Sequence, residues 1–95
     1  MLHILNKPPH SEAAQQMLST AVEGDTILLI EDAVQAVLHP EWSCWNAEDV
    51  QVLVLEEDAA SRGLLPGALI AKASWVTMDG FVELTEQNAN IISWY

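Results

Sequence analysis

The run Thr26-Ile27-Leu28-Leu29-Ile30 is continuous and β-branched at both ends. A strand washed by water on one face alternates polar and apolar residues, so an unbroken run of this length reads as a strand covered on both faces. It is expected near the centre of a sheet, with helices on either side. A second run, Met1-Leu2-His3-Ile4-Leu5, ends at Asn6-Lys7-Pro8-Pro9, where paired prolines lack the donors that a central strand needs. That predicts a first strand over about residues 1–6. Ala14, Met17, Leu18, Ala21 and Val22 then recur at helical spacing and Gly24 stands where a left-handed cap is favoured, which predicts a helix over about 10–22. After the central run, Glu31-Asp32 offers a cap and first-turn acids for a short helix through Leu38, which Pro40 terminates.

The same alternation continues. Residues 39–46 have no clean period and read as a connection with room for one helical turn. Val50-Gln51-Val52-Leu53-Val54-Leu55 predicts a third strand, and residues 56–63 a helix with an acidic first turn and a glycine stop. Leu64-Leu65-Pro66-Gly67 turns the chain, and Ala68-Leu69-Ile70-Ala71 leads to a fourth strand around 73–76. Asp79-Gly80 opens a helix carrying Phe81, Val82 and Leu84, and Ile91-Ile92-Ser93-Trp94-Tyr95 is uncharged and β-prone, a terminal strand. Strands alternating with short helices imply right-handed crossovers: an α/β, three-layer domain with a mostly parallel sheet of about five strands and helices on both faces. Residues 1–95 are expected to form a single domain, with no repeat or linker. Strand order does not follow from this pattern.

Composition narrows the function. With 51% hydrophobic and 18% charged residues the chain is not disordered, yet its core is modest, so burial against a partner would help it. Lys7, Arg62 and Lys72 face fourteen acidic residues, a net charge of −11 that opposes docking on a phosphate backbone or an anionic membrane. The apolar runs fall far short of the roughly 20 residues needed to cross a bilayer. Cys44 is the only cysteine, and no basic-then-apolar leader precedes the first strand, so a reducing cytoplasm fits better than a disulfide-stapled secreted domain.

Sites in open α/β sheets lie beyond the carboxyl ends of the strands, which places the candidate rim at residues 6–10, Glu31-Asp32, Glu56-Glu57-Asp58 and Met78-Asp79. Clustered carboxylates suit a divalent cation or acid–base work, but each acidic pair here opens a predicted helix, where the helix dipole already favours it. G-x-G-x-x-G and G-x-x-x-x-G-K-[ST] are both absent, which removes those routes to nucleotide binding, and no cofactor is expected. Cys44 is a weak catalytic alternative with His39 five residues away. A thiolate wants a cationic setting, whereas Glu41 and Glu48 flank this one. Two ligands at no recognised spacing do not make a zinc site, and no metal is expected. His3, inside an apolar strand, reads as a satisfied core residue; His10, after the proline pair, is better placed but has no identifiable partner. Four tryptophans are a large aromatic allotment for so small a core. Trp94 and Tyr95, with Trp75, are expected to serve a subunit contact, where aromatic anchors are enriched.

The opening residues 1–9, the segment from Gly24 to Val34, Ala60-Ser61-Arg62-Gly63-Leu64, and the ending from Gly80 to Tyr95 together resemble the TusB/DsrH family over nearly the whole chain. The resemblance implies a domain of the DsrE-like superfamily and a subunit of a TusBCD-type heterohexamer, two copies of a three-subunit unit. In such complexes persulfide sulfur passes from a TusA-like donor to a TusE-like acceptor and on to 2-thiouridine at the tRNA wobble position; the related DsrEFH complex serves sulfur oxidation. The transferring cysteine belongs to the TusD/DsrE-type sibling, after its third strand and before an Arg-Gly-ended helix. Counting back from Arg62-Gly63, that place here is about Leu55, which cannot carry sulfur. DsrH-type members carry a cysteine in the first helix, and the neighbourhood of Met17-Leu18 has none, which favours the TusB side. The leading expectation is a non-catalytic adaptor that holds TusC- and TusD-like partners and never touches tRNA itself. Two others stand beside it: a persulfide carrier using Cys44 on a mobile loop with help from His39, and a homo-oligomer binding a small ligand at the acidic rim.

Overall fold

A computed structural model describes residues 1–64 and 73–95. Five strands, β1 (Leu2–Leu5), β2 (Thr26–Leu29), β3 (Gln51–Leu55), β4 (Ser74–Val76) and β5 (Ile91–Trp94), form one sheet in the order β4-β3-β2-β1-β5. Every neighbouring pair is parallel. The expected α/β class and five-strand count hold, and the uninterrupted 26–30 run is the middle strand. The expected turn over 64–67, the lead through Ala71 and Lys72 lie largely outside the described residues.

Register sorts the side chains. Leu5, Leu29, Val54 and Trp94 fall on one face; Leu2, Ile4, Leu28, Leu53 and Ile91 fall on the other. The first face carries the larger core, covered by helix α1 (Glu12–Thr20), two 3₁₀ helices (Glu31–Leu38 and Ser43–Asn46) and helix α2 (Glu56–Ser61) through Ala14, Met17, Val34, Val37, Trp45 and Ala59. The opposite face has a smaller cluster of Leu2, Ile4, Leu28 and Leu53, covered by Phe81 and Leu84 of helix α3 (Met78–Gln87). Ser11 caps α1 and Thr77 caps α3, each hydroxyl accepting a backbone amide of the first turn.

The helix expected after β2 is a 3₁₀ helix instead. Its buried residues pair at a spacing of three, Ala33 with Ala36 and Val34 with Val37, which matches three residues per turn better than 3.6. Nor do Glu31 and Asp32 cap it: the N-cap position is Ile30, with no side-chain bond.

Candidate functional site

The strand order reverses between β1 and β5. From β1 the path runs over one face to β2, and β5 is reached from β4 over the other, so this is the topological switch point at which open α/β sheets place ligands. At its carboxyl edge the Asn6 amide N–H donates to the Trp94 carbonyl at 3.4 Å. The rest of the rim is stitched together by its own acids. The Glu31 amide donates to Asp58 Oδ2 at 2.6 Å, Asn6 Nδ2 donates to Glu31 Oε2 at 3.4 Å, the Met78 amide donates to Glu57 Oε2 at 3.0 Å, and Arg62 pairs with Asp32 at 3.3 Å. Asp58 and Glu57 thus cap the start of a neighbouring element rather than their own helix. Glu31 sits at φ +49°, a left-handed conformation that a side chain enters at a cost of about 1 kcal/mol. Among the described residues no three His, Cys, Asp or Glu side chains are grouped to hold a metal ion.

Leu55 closes β3 directly before α2 and is 2% exposed. At the far end of α2, Gly63 takes the left-handed cap at φ +74°. Cys44 lies in the second 3₁₀ helix and is 1% exposed, flanked by buried Trp42 and Trp45, whose rings meet edge to face with centroids 5.7 Å apart. That places the thiol in the core rather than on the mobile loop a carrier needs. The Trp45 indole N–H is shared between the Ala36 and His39 carbonyls, at 3.2 and 3.1 Å, and locks this segment to the first 3₁₀ helix. The His39 ring turns to Glu41, 3.1 Å from its carboxylate, and holds that carboxyl below its usual range. His10 meets the His39 ring edge to face at 5.2 Å. Pro9, His10, Leu18, Glu41, Trp42 and Ser43 line a cleft of about 300 Å³ there, open to solvent. A larger hollow of about 430 Å³ lies at the amino ends of β2 and β3, opposite the rim.

His3 is fully buried in β1 and bonded at both ring nitrogens. Trp94 Nε1–H donates to His3 Nδ1 at 3.1 Å, which leaves the ring proton on Nε2 to donate to Asp25 Oδ2 at 2.8 Å. Asp25 also accepts from the Val22 amide at 3.0 Å and from the Met1 amine at 3.2 Å. The His3 bond above all, then the Val22 amide, pulls the Asp25 carboxyl down to about 2 against the opposing effect of desolvation. His3 is thus a satisfied core residue, as its apolar strand implied. Sequence pattern does not single out Asp25, although a buried histidine needs an acceptor and Asp25 is the acid that immediately precedes the neighbouring strand. Of the residues expected at a contact, Trp75 and Trp94 are half-buried against the larger core and Tyr95 is 70% exposed.

Residues 7–91 match the family model described as DsrH like protein. The chain belongs to the TusB/DsrH family. It is similar to Protein TusB of Serratia proteamaculans, at 33% identity over 98 residues, and to Protein TusB of Shigella flexneri, at 31% over 97; in both comparisons 99% of this chain aligns with 100% of the relative. Among solved structures it is similar to Protein Tm0979 of Thermotoga maritima, with a TM-score of 0.68 over 93% of this chain and 94% of that one. At 21% identity that likeness speaks for the fold alone. At the β3–α2 junction this TusB/DsrH chain has the buried side chain of Leu55.

Proposed function

We propose that residues 1–95 work as one domain and as a non-catalytic adaptor subunit of a TusBCD-like sulfur-relay complex that passes persulfide sulfur toward 2-thiolation of the tRNA wobble uridine. The observation that carries this reading is Leu55. The junction that the family resemblance assigns to a sibling's sulfur-carrying cysteine is occupied here by an aliphatic side chain, 2% exposed. The chain's own thiol, Cys44, is 1% exposed, and a persulfide must be reached by its donor and its acceptor. The absence of cysteine from α1 supports the thiolation pathway over a DsrEFH-like one in sulfur oxidation. The adaptor holds TusC- and TusD-like subunits in register, meets TusA- and TusE-like proteins only through the complex, and acts in the cytoplasm. Its charge of −11 keeps it off the tRNA. Trp75, Trp94 and Tyr95 serve the subunit contacts.

Co-expression with TusC- and TusD-like partners and pull-down on this chain tests the assembly: a stoichiometric complex of heterohexamer mass is expected, and recovery of this chain alone overturns it. Within that complex, Cys44→Ser is expected to leave wobble-uridine thiolation unchanged, read by mass spectrometry of tRNA nucleosides. Loss of thiolation from an intact Cys44→Ser complex would transfer the sulfur-carrying role to this subunit.

A further inference from the structure

Among the described residues, β5 is an edge strand without the usual protection. Natural edges are blunted by charge, proline or a bulge, yet residues 87–95 carry no charged side chain and no proline in a chain of net charge −11. The carbonyls of Asn90 and Trp94 accept from the β1 side, so the intervening residues Ile91 and Ser93, and Tyr95 beyond, direct their backbone N–H and C=O groups away from the sheet. Ile91 is 41% exposed and Tyr95 70%.

The five residues are also complementary to themselves. Placed antiparallel about a two-fold axis at Ser93, Ile91 faces Tyr95, Ile92 faces Trp94, and serine faces serine. Both unlike pairs join a β-branched residue to an aromatic one, the combination that stabilises cross-strand neighbours. The outward amides of Ile91, Ser93 and Tyr95 fall in hydrogen-bonded pairs, which exchange both bonds, and Ile92 with Trp94 falls in the closer, non-hydrogen-bonded pair. We infer that β5 joins β5 of a second copy of this chain, antiparallel, so that two five-stranded sheets become one continuous sheet. Two molecules of −11 repel, which opposes the association, and the uncharged strip lets them approach without setting one acidic side chain against another. A strand-to-strand contact is small, so the dimer is reversible and depends on concentration. The inference concerns the chain without its partners: Trp94 and Tyr95, which the proposed function gives to subunit contacts, are also used by β5 pairing, so the two assemblies compete for one edge.

The test is the mass of the isolated full chain by light scattering or sedimentation. A rise from 10.5 kDa to twice that value with concentration is expected, together with tighter association as salt screens the two negative molecules. Ser93→Pro removes only outward-facing donors and is expected to weaken the dimer by about tenfold or more, with an unchanged circular dichroism spectrum. Should that variant fail to fold, Ser93→Cys decides: a short thiol-specific bifunctional reagent must yield a 93–93 cross-linked dimer. A chain that stays monomeric to about 1 mM in high salt overturns the inference. So does a dimer that Ser93→Pro leaves intact, or one in which Ser93→Cys does not cross-link.

Discussion

At the residue scale, the group with the largest consequence is Asp25. Its carboxylate gathers bonds from His3, the Val22 amide and the Met1 amine, and its folded-state pKa of about 2 lies below the ordinary 3.8. A depressed acid stabilises the fold above its unfolded pKa and loses that contribution as pH falls through the folded value. The window is therefore about pH 4 down to pH 2, and the full contribution is on the order of 2 kcal/mol. Asp25→Asn is expected to lower stability by about that amount at pH 7 and to flatten the acid limb of the curve. Urea unfolding of both chains across pH 2–7 checks it; parallel curves would show that the carboxylate is not preferentially stabilised in the native state. Half of this network is legible in the sequence. A histidine inside an apolar strand must be satisfied, but Asp25 and Trp94 are brought to it only when β2 and β5 take their places on either side of β1.

At the element scale, α3 shows how closely a helix is seated by one glycine. A Cβ at Gly80 would run into the Cγ2 of Val76, the last residue of β4. Val76 is β-branched and packs beside Phe81 and Leu84 on the smaller core, so it has little freedom to move aside. Gly80→Ala gains about 1 kcal/mol of helix propensity and incurs an overpacking cost of about 1–3 kcal/mol. The expected result is a net loss of roughly 1 kcal/mol in chemical unfolding; a gain of that size would show that Val76 yields freely. The strands are legible at this scale because apolar runs of five or six residues bounded by Pro, Gly or acids admit few other readings. The 3₁₀ form of Glu31–Leu38 is not, since a short apolar stretch satisfies either helical period until its contacts are known. The rim acids read as caps in the sequence, but Asp58 and Glu57 cap across to a neighbouring element, a pairing that no local pattern encodes.

At the scale of the whole molecule, charge outweighs every other feature. A net charge of −11 on 95 residues, with Arg62 to Asp32 the one Lys or Arg ion pair among the described residues, makes the fold work against its own repulsion. Raising salt from about 0.05 to 0.5 M is expected to lift the melting temperature of Ser93→Pro, in which dimer formation does not contribute, by several degrees or about 1 kcal/mol. A flat or falling melting temperature would show that the acids are compensated locally. The same surplus of acid suits a subunit that works through partners.

By itself the sequence determined the elements, their alternation, the parallel α/β class and the absence of a cysteine at the β3–α2 junction. Each of these follows from composition and period within a few residues. Only the tertiary structure decided that β5 crosses to the far side of β1, that His3 meets Asp25 and Trp94, and that Cys44 is buried in the larger core. Those outcomes depend on which face each crossover takes, and that choice is made by packing between residues far apart in the chain.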